Sequence, residues 1–246
     1  MKIDILGVRT QAQTFTAAIH QLLEWAKSSE SHYVSTCPVY TIMQCTEHPS
    51  VMDAVNGASM ATADGMPVVW MQRRLGMPAA ERVYGPDVML ALCEAGLADG
   101  VSHYFLGSTP TVLARLEEHL TARFPSLRIA GSFAPHFAPP PTSHDPATAS
   151  QLNESGADVI WVGLGSPKQD LWMATYRPHL KAPLLIGVGA AFELISESRR
   201  QAPRWIQRNG FEWLFRLGLE PRRLWRRYLI YNPRFMMAIL RARRRS

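Results

Sequence analysis

Residues 158–170 read Asp-Val-Ile-Trp-Val-Gly-Leu-Gly-Ser-Pro-Lys-Gln-Asp, and this stretch decides the fold class. Val159 to Val162 is a short apolar run of the kind that forms a strand buried on both faces. It ends in Gly163-Leu164-Gly165, where the loss of side chains lets the backbone approach a ligand closely. Ser166 reads as an N-cap and Pro167 as a first helical residue, which predicts a helix from there to Arg177. A strand that passes through glycines into a helix N-terminus offers N–H groups and a positive dipole end to an anion. Lys168 and Gln169, in the first turn, add donors. The same stretch also fits an ordinary βα turn, because an isolated G-x-G carries little information.

Outward from this point, strand-like and helix-like segments alternate. Strands are expected at Ile3–Val8, Tyr33–Cys37, Met60–Ala63, His103–Leu106, Leu127–Phe133 and Leu184–Val188. Helices are expected after Thr14, between Cys37 and about Asn56, from Pro67, from Asp87 to Ala98, from Pro110 to Pro125, and over Ala147–Ser155. The alternation predicts an α/β fold, a Rossmann-like and mainly parallel sheet with helices on both faces. The run Pro135-His136-Phe137-Ala138-Pro139-Pro140-Pro141 reads as a stiff surface loop. Strands end in small or polar residues at Thr36, Asp64-Gly65, Gly107-Ser108, Gly163–Gly165 and Gly189. In an open parallel sheet those ends line one ligand-binding rim.

Of the 246 residues, 47% are apolar and 19% charged, a globular rather than a disordered composition. The longest apolar run, Ala182 to Phe192, is too short to cross a bilayer, and no charged-then-apolar leader follows Met1. A cytoplasmic location is therefore expected. Cys37, Cys45 and Cys93 lack zinc or disulfide spacing and read as small apolar filler, and no Asp-x-Asp offers a carboxylate pair to a divalent metal. Neither a metal nor another cofactor is expected.

The net charge of +6 is unevenly placed. Residues 199–246 carry 14 arginines against Glu212 and Glu220, while residues 1–198 carry 12 basic and 18 acidic side chains. The chain thus divides into an α/β core, 1–198, and an Arg-rich helical appendage, 199–246. Arg222, Arg223, Arg226 and Arg227 alternate with Leu224, Trp225, Tyr228 and Leu229, which fits opposite sides of a helix and suits an anionic membrane surface. Asn232-Pro233 is expected to break that helix. Beyond it, Phe235, Met236, Met237, Ile239 and Leu240 form a second apolar patch before Arg241, Arg243, Arg244 and Arg245. That patch fits either a membrane contact or an interface between copies of the chain.

Four pieces remain: Ala63-Asp64-Gly65, Arg82-Val83-Tyr84-Gly85-Pro86-Asp87, Val162 through Asp170, and Gln201-Ala202-Pro203-Arg204-Trp205. The last is followed by Glu212-Trp213-Leu214-Phe215-Arg216-Leu217 and Glu220-Pro221-Arg222-Arg223. Together and in this order, from about Val34 to Pro233, they resemble the WecG/TagA/CpsF glycosyltransferase family. The resemblance implies an inverting, metal-independent transfer of a hexose or N-acetylhexosamine-type sugar. The donor would be a UDP-sugar and the acceptor a polyprenyl-diphosphate-linked saccharide, in the synthesis of cell-surface polysaccharide. It implies a cytoplasmic enzyme, peripheral on the inner face of the membrane, that forms homo-oligomers.

Carried over by position, the resemblance makes Asp64 the general base and sets Thr36 on the facing rim. Arg82, Gly163, Gly165, Lys168 and Gln169 become nucleotide-sugar contacts, and Arg216, Arg223 and Arg226 complete the site against the diphosphate. The residue types fit that chemistry. One carboxylate takes the acceptor's proton, and guanidinium and main-chain N–H groups meet the leaving diphosphate where no metal does. Three positions depart from the family pattern: Pro38 replaces an asparagine, Asp170 a glutamate, and Ile195-Ser196-Glu197-Ser198 occupies a region that usually holds a glycine. Two alternatives stay open, a nucleic-acid-binding protein using the arginine tail and a nucleotide-cofactor oxidoreductase. The latter reading lacks the third glycine of G-x-G-x-x-G.

Overall fold

The computed structural model describes residues 1–136 and 139–243, so Phe137, Ala138, Arg244 and Arg245 lie outside the described residues. The single strand expected over Ile3–Val8 is instead a hairpin. β1 (Lys2–Ile5) and β2 (Val8–Gln11) pair antiparallel and turn at Leu6 and Gly7, with φ of 55° and 85°. Two consecutive positive φ values match the twist of the flanking strands. An apolar Ile-Leu-Gly-Val run hides such a turn from sequence.

The other strands are parallel: β3 (His32–Cys37), β4 (Met60–Ala63), β5 (Ser102–Gly107), β6 (Arg128–Phe133), β7 (Val159–Gly163) and β8 (Leu184–Gly187). The described residues form one sheet in the order β1-β2-β4-β3-β8-β7-β5-β6. Between and after the strands run α1 (Phe15–Ala26), α2 (Val39–Glu47), α3 (Pro49–Asn56), α4 (Met66–Arg74), α5 (Gly85–Ala95), α6 (Pro110–Arg123), α7 (Pro146–Glu154), α8 (Lys168–Tyr176) and α9 (Ala191–Ile195). Successive residues of β7 point to opposite faces. Val159 and Trp161 pack with Leu22, Leu92, Leu116 and Phe192 of α1, α5, α6 and α9. Ile160 and Val162 pack with Leu152, Met173 and Tyr176 of α7 and α8. Both faces are covered, which is why the strand reads as an unbroken apolar run.

The Arg-rich segment folds as α10 (Arg204–Arg208), α11 (Glu212–Leu219), α12 (Pro221–Trp225), a π-helical turn (Arg226–Ile230) and α13 (Tyr231–Arg243). The expected break at Asn232-Pro233 does not occur. Pro233 lies three residues past the π-helical turn, in a helical run that continues across it; wider π-turns are common where a helix absorbs a local irregularity. The apolar patch of α13 divides with the helical period. Phe235 (1% exposed) and Ile239 join a core cluster with Ile5, Val39 and Ile42, while Met236, Met237 and Leu240 face outward. Tyr231 and Arg234 add contacts to Glu47 at 3.2 and 2.6 Å. No helix among the described residues is long and apolar enough to cross a membrane.

Phe235→Ala is expected to lower the unfolding free energy by about 3–5 kcal/mol, and Met236→Ala by no more than about 0.5 kcal/mol. Urea unfolding of both variants measures whether the tail shares the cooperative core.

Candidate active site

The carboxyl ends of β3, β4, β7 and β8 open on a cleft of about 560 Å³, within the size range of nucleotide-sized ligand pockets. Thr36, Asp64, Gly163, Gly165, Gln169 and Gly189 all line it. The Thr36 hydroxyl donates to the Gly187 carbonyl at 2.8 Å, so toward a ligand its oxygen can only accept.

The glycine-rich loop is built differently from its sequence reading. Ser166 does not cap α8; Pro167 holds that position, and the helix begins at Lys168. The Ser166 hydroxyl donates to Asp170 at 2.7 Å and accepts from Thr41 at 2.7 Å. Burial pushes the Asp170 carboxyl up to about 6, against the pull of that hydroxyl. Gln169 accepts rather than donates: its side-chain oxygen takes the N–H groups of Gly165 (3.1 Å) and Gly189 (2.9 Å). Positive φ at both glycines (77° and 57°) accompanies this geometry. The clamp ties the β7 and β8 loops together and occupies two N–H groups that an anion would otherwise meet.

Asp64 sits at the end of β4, and its Oδ1 accepts the Gly85 N–H at 3.1 Å. Gly85 opens α5 against the β8 loop, where a Cβ would stand 2.9 Å from the Val188 carbonyl oxygen. Arg82 Nε donates to the Asp64 main-chain carbonyl. Burial holds the Asp64 carboxyl above the usual carboxylate range. The charge of Arg82 and the Gly85 N–H pull it down, Glu212 pushes it up, and Arg216 pulls it down again. A desolvated carboxylate with a raised affinity for a proton is equipped to act as a base.

Five arginines line the cleft among the described residues: Arg199, Arg216, Arg223, Arg226 and Arg227. Glu220 pairs with Arg223 at 2.8 Å and reaches Arg199 at 3.8 Å. Burial, and then the charge of Arg199, lower Arg223 below the usual guanidinium range. Burial and the charge of Arg216 do the same at Arg227, against the pull of Tyr228. Mutually repelling cations around a concave surface favour an anionic ligand.

The chain matches the family model described as "Glycosyl transferase WecG/TagA/CpsF family" over residues 3–246. It belongs to that family. It is also similar to two curated proteins, from Staphylococcus aureus strains NCTC 8325 / PS 47 and MRSA252, each 27% identical over 99% of this chain and 94% of the relative. Both are named N-acetylglucosaminyldiphosphoundecaprenol N-acetyl-beta-D-mannosaminyltransferase.

In this glycosyltransferase the cleft gathers eight of the ten residues singled out from sequence: Thr36, Asp64, Gly163, Gly165, Gln169, Arg216, Arg223 and Arg226. Arg82 and Lys168 do not line it. Arg82 turns away to pair with Glu212 at 2.6 Å while stacking over the Tyr84 ring at 3.8 Å. α8 turns Gln169 and Asp170 inward, one and two positions after Lys168.

Sequence reading gave no role to Glu212, although its carboxylate takes both Arg82 and the Tyr84 hydroxyl (3.1 Å) and so fastens α11 beside Asp64. It set Arg227 on the basic side of a membrane-facing helix and not in the site, whereas Arg227 lines the cleft and lies over the Tyr40 ring at 4.7 Å; the i, i+4 spacing from Arg223 was the available signal. Pro38, which the resemblance sets opposite an asparagine, precedes α2 and brings no side-chain amide to the cleft. Glu197, in the region where the resemblance expects a glycine, has a φ of 55°.

Glu212→Gln leaves Arg82 without its counter-charge, and a loss of about 1–3 kcal/mol is expected. In thermal or urea unfolding, the double variant with Arg82→Gln should cost less than the sum of the single changes.

Proposed function

We propose that the protein is an inverting glycosyltransferase that moves an N-acetylhexosamine-type sugar from a UDP-sugar to a polyprenyl-diphosphate-linked saccharide, without a metal. One observation carries the reading: the half-buried, desolvated carboxyl of Asp64 shares one cleft with the Gly163–Ser166 loop and the tail arginines. The names of the Staphylococcus aureus relatives make N-acetylmannosamine the first sugar to try and N-acetylglucosamine on a prenyl diphosphate the first acceptor.

Asp64 removes the proton of the attacking acceptor hydroxyl as that oxygen bonds to the anomeric carbon. The bond from that carbon to the nucleotide's phosphate oxygen breaks, and UDP leaves with the electron pair. The growing negative charge on the diphosphate falls among Arg216, Arg223, Arg226 and Arg227, in a site where fixed charges act more strongly than in water. Thr36 and the glycine loops shape the wall against which the donor lies.

The protein, incubated with a panel of UDP-sugars and a short-chain prenyl-diphosphate-linked sugar, should yield the disaccharide-linked lipid and UDP in the presence of EDTA. Calorimetry should detect binding of UDP and none of NAD. Asp64→Asn should lose roughly 10²–10⁴ in kcat while still binding UDP; near-normal turnover would remove Asp64 from the base role. The base works ionised and its proton affinity is raised. The acid limb of kcat/KM should therefore fall as pH drops through a value above the ordinary aspartate pKa of about 3.9.

The tail also supports peripheral binding to an anionic bilayer. Trp225 and Leu229, four apart, face outward together with Met236, Met237 and Leu240, while Leu224 turns inward. Arginines beside such a surface each add on the order of 1 kcal/mol near anionic lipid. Cosedimentation with phosphatidylglycerol vesicles is expected, weakening as salt rises. Phosphatidylcholine vesicles and RNA should not be bound, and preferential binding to RNA would favour a nucleic-acid-binding protein instead.

A further inference from the structure

A second, smaller chamber adjoins the cleft. The two share Pro38, Tyr40, Asp64, Arg216 and Arg227, so Asp64 stands on the boundary between them. The walls differ in kind. The cleft is lined by glycine loops and arginines, whereas the chamber combines the apolar and aromatic Val39, Met66, Pro67, Trp213 and Tyr228 with the polar Gln207, Asn232 and the Arg82–Glu212 pair. Trp213 and Tyr228 lie with ring centroids 6.1 Å apart and form one aromatic wall.

The chamber reaches the seam between α4 and the tail. Gly210 lines it, and the Trp70 ring lies against that glycine, 2.7 Å from where a Cβ would stand. Trp70, Phe211 and Leu214 are each about half exposed, at 48%, 52% and 51%. Trp70 touches the lining residue Gly210, and Phe211 and Leu214 follow lining residues in the chain; exposed apolar side chains beside a pocket suit an apolar partner. Aromatic faces with a polar neighbourhood suit the C–H faces of a sugar ring.

We propose that this chamber receives the terminal sugar of the acceptor, with Trp213 as its stacking platform, and that the acceptor's prenyl chain leaves over Trp70 and Phe211. The inference rests on the transferase reading above and gives it a direction. Inversion requires the nucleophile to approach from the side opposite the departing diphosphate. A base on the wall between two cavities can face a nucleotide in one and a hydroxyl in the other. The hydroxyl's proton passes to Asp64, the new carbon–oxygen bond forms through the boundary, and the diphosphate retains the electron pair on the cleft side. Arg216 and Arg227 border both spaces and so stand near the phosphates of either substrate.

The test is calorimetric titration of two probes into the full chain: UDP, and N-acetylglucosamine linked to a short-chain prenyl diphosphate. Trp213→Ala should weaken the acceptor roughly tenfold while leaving the Kd for UDP unchanged, which also shows that the variant is folded. Trp213→Phe should keep most of the acceptor affinity, and Trp70→Ala should weaken the prenyl-linked probe but not the same sugar diphosphate without its prenyl chain. Unchanged acceptor affinity in Trp213→Ala, or a parallel loss of UDP, overturns the proposal, as does a wild-type protein that does not bind the acceptor probe. If the acceptor binds through Trp213 and no UDP-sugar is turned over, the catalytic reading fails and the chamber assignment stands.

Discussion

Crowding of positive charge over the strand ends is the constraint on which the rest depends. The segment from Arg199 onward holds only two carboxylates, Glu212 and Glu220, and both are consumed locally. Glu212 holds Arg82 and Tyr84, and Glu220 holds Arg223 and reaches Arg199. Among the described residues no salt bridge forms to Arg216, Arg226 or Arg227, all of which line the cleft. Their mutual repulsion opposes the packing of the tail at Leu224, Phe235 and Ile239, and an anion bound in the cleft would stabilise that packing.

Asp64 answers to the same charges. The Gly85 N–H and Arg82 orient it, burial raises its proton affinity, and Glu212 and Arg216, both from α11, pull that affinity in opposite directions. The tail therefore sets the surroundings of the Asp64 carboxyl as well as the charge of the cleft. A helix that moved away would take a carboxylate and a guanidinium with it, and Asp64 would be left to burial and Arg82.

The loops beyond β7 and β8 behave less like a phosphate cradle than their glycines imply. Gln169 bridges Gly165 and Gly189 with one oxygen atom, so these turns form a rigid wall whose N–H groups are partly occupied. Positive charge at the cleft then comes mainly from side chains on the Arg-rich segment. The chain has 14 arginines and no lysine after residue 198, and a planar fork can pack on an aromatic ring, as Arg227 does on Tyr40, while keeping donors for an anion.

The sequence by itself determined the parallel sheet, the rim and most of the cleft. A strand covered on both faces must be apolar throughout, and small residues at strand ends are written locally in the chain. It determined the charge of the tail as well, since composition needs no coordinates. It could not show that Leu6-Gly7 turns a hairpin, that the helix runs on through Pro233, or that Arg82 faces Glu212 instead of the cleft. The first is hidden inside an apolar run, the second depends on the neighbouring π-turn, and the third on a partner 130 residues away in the chain. Only the tertiary structure decided which arginines face Asp64, because a repeating basic pattern fits several rotations of a helix and the burial of Leu224, Phe235 and Ile239 selects one.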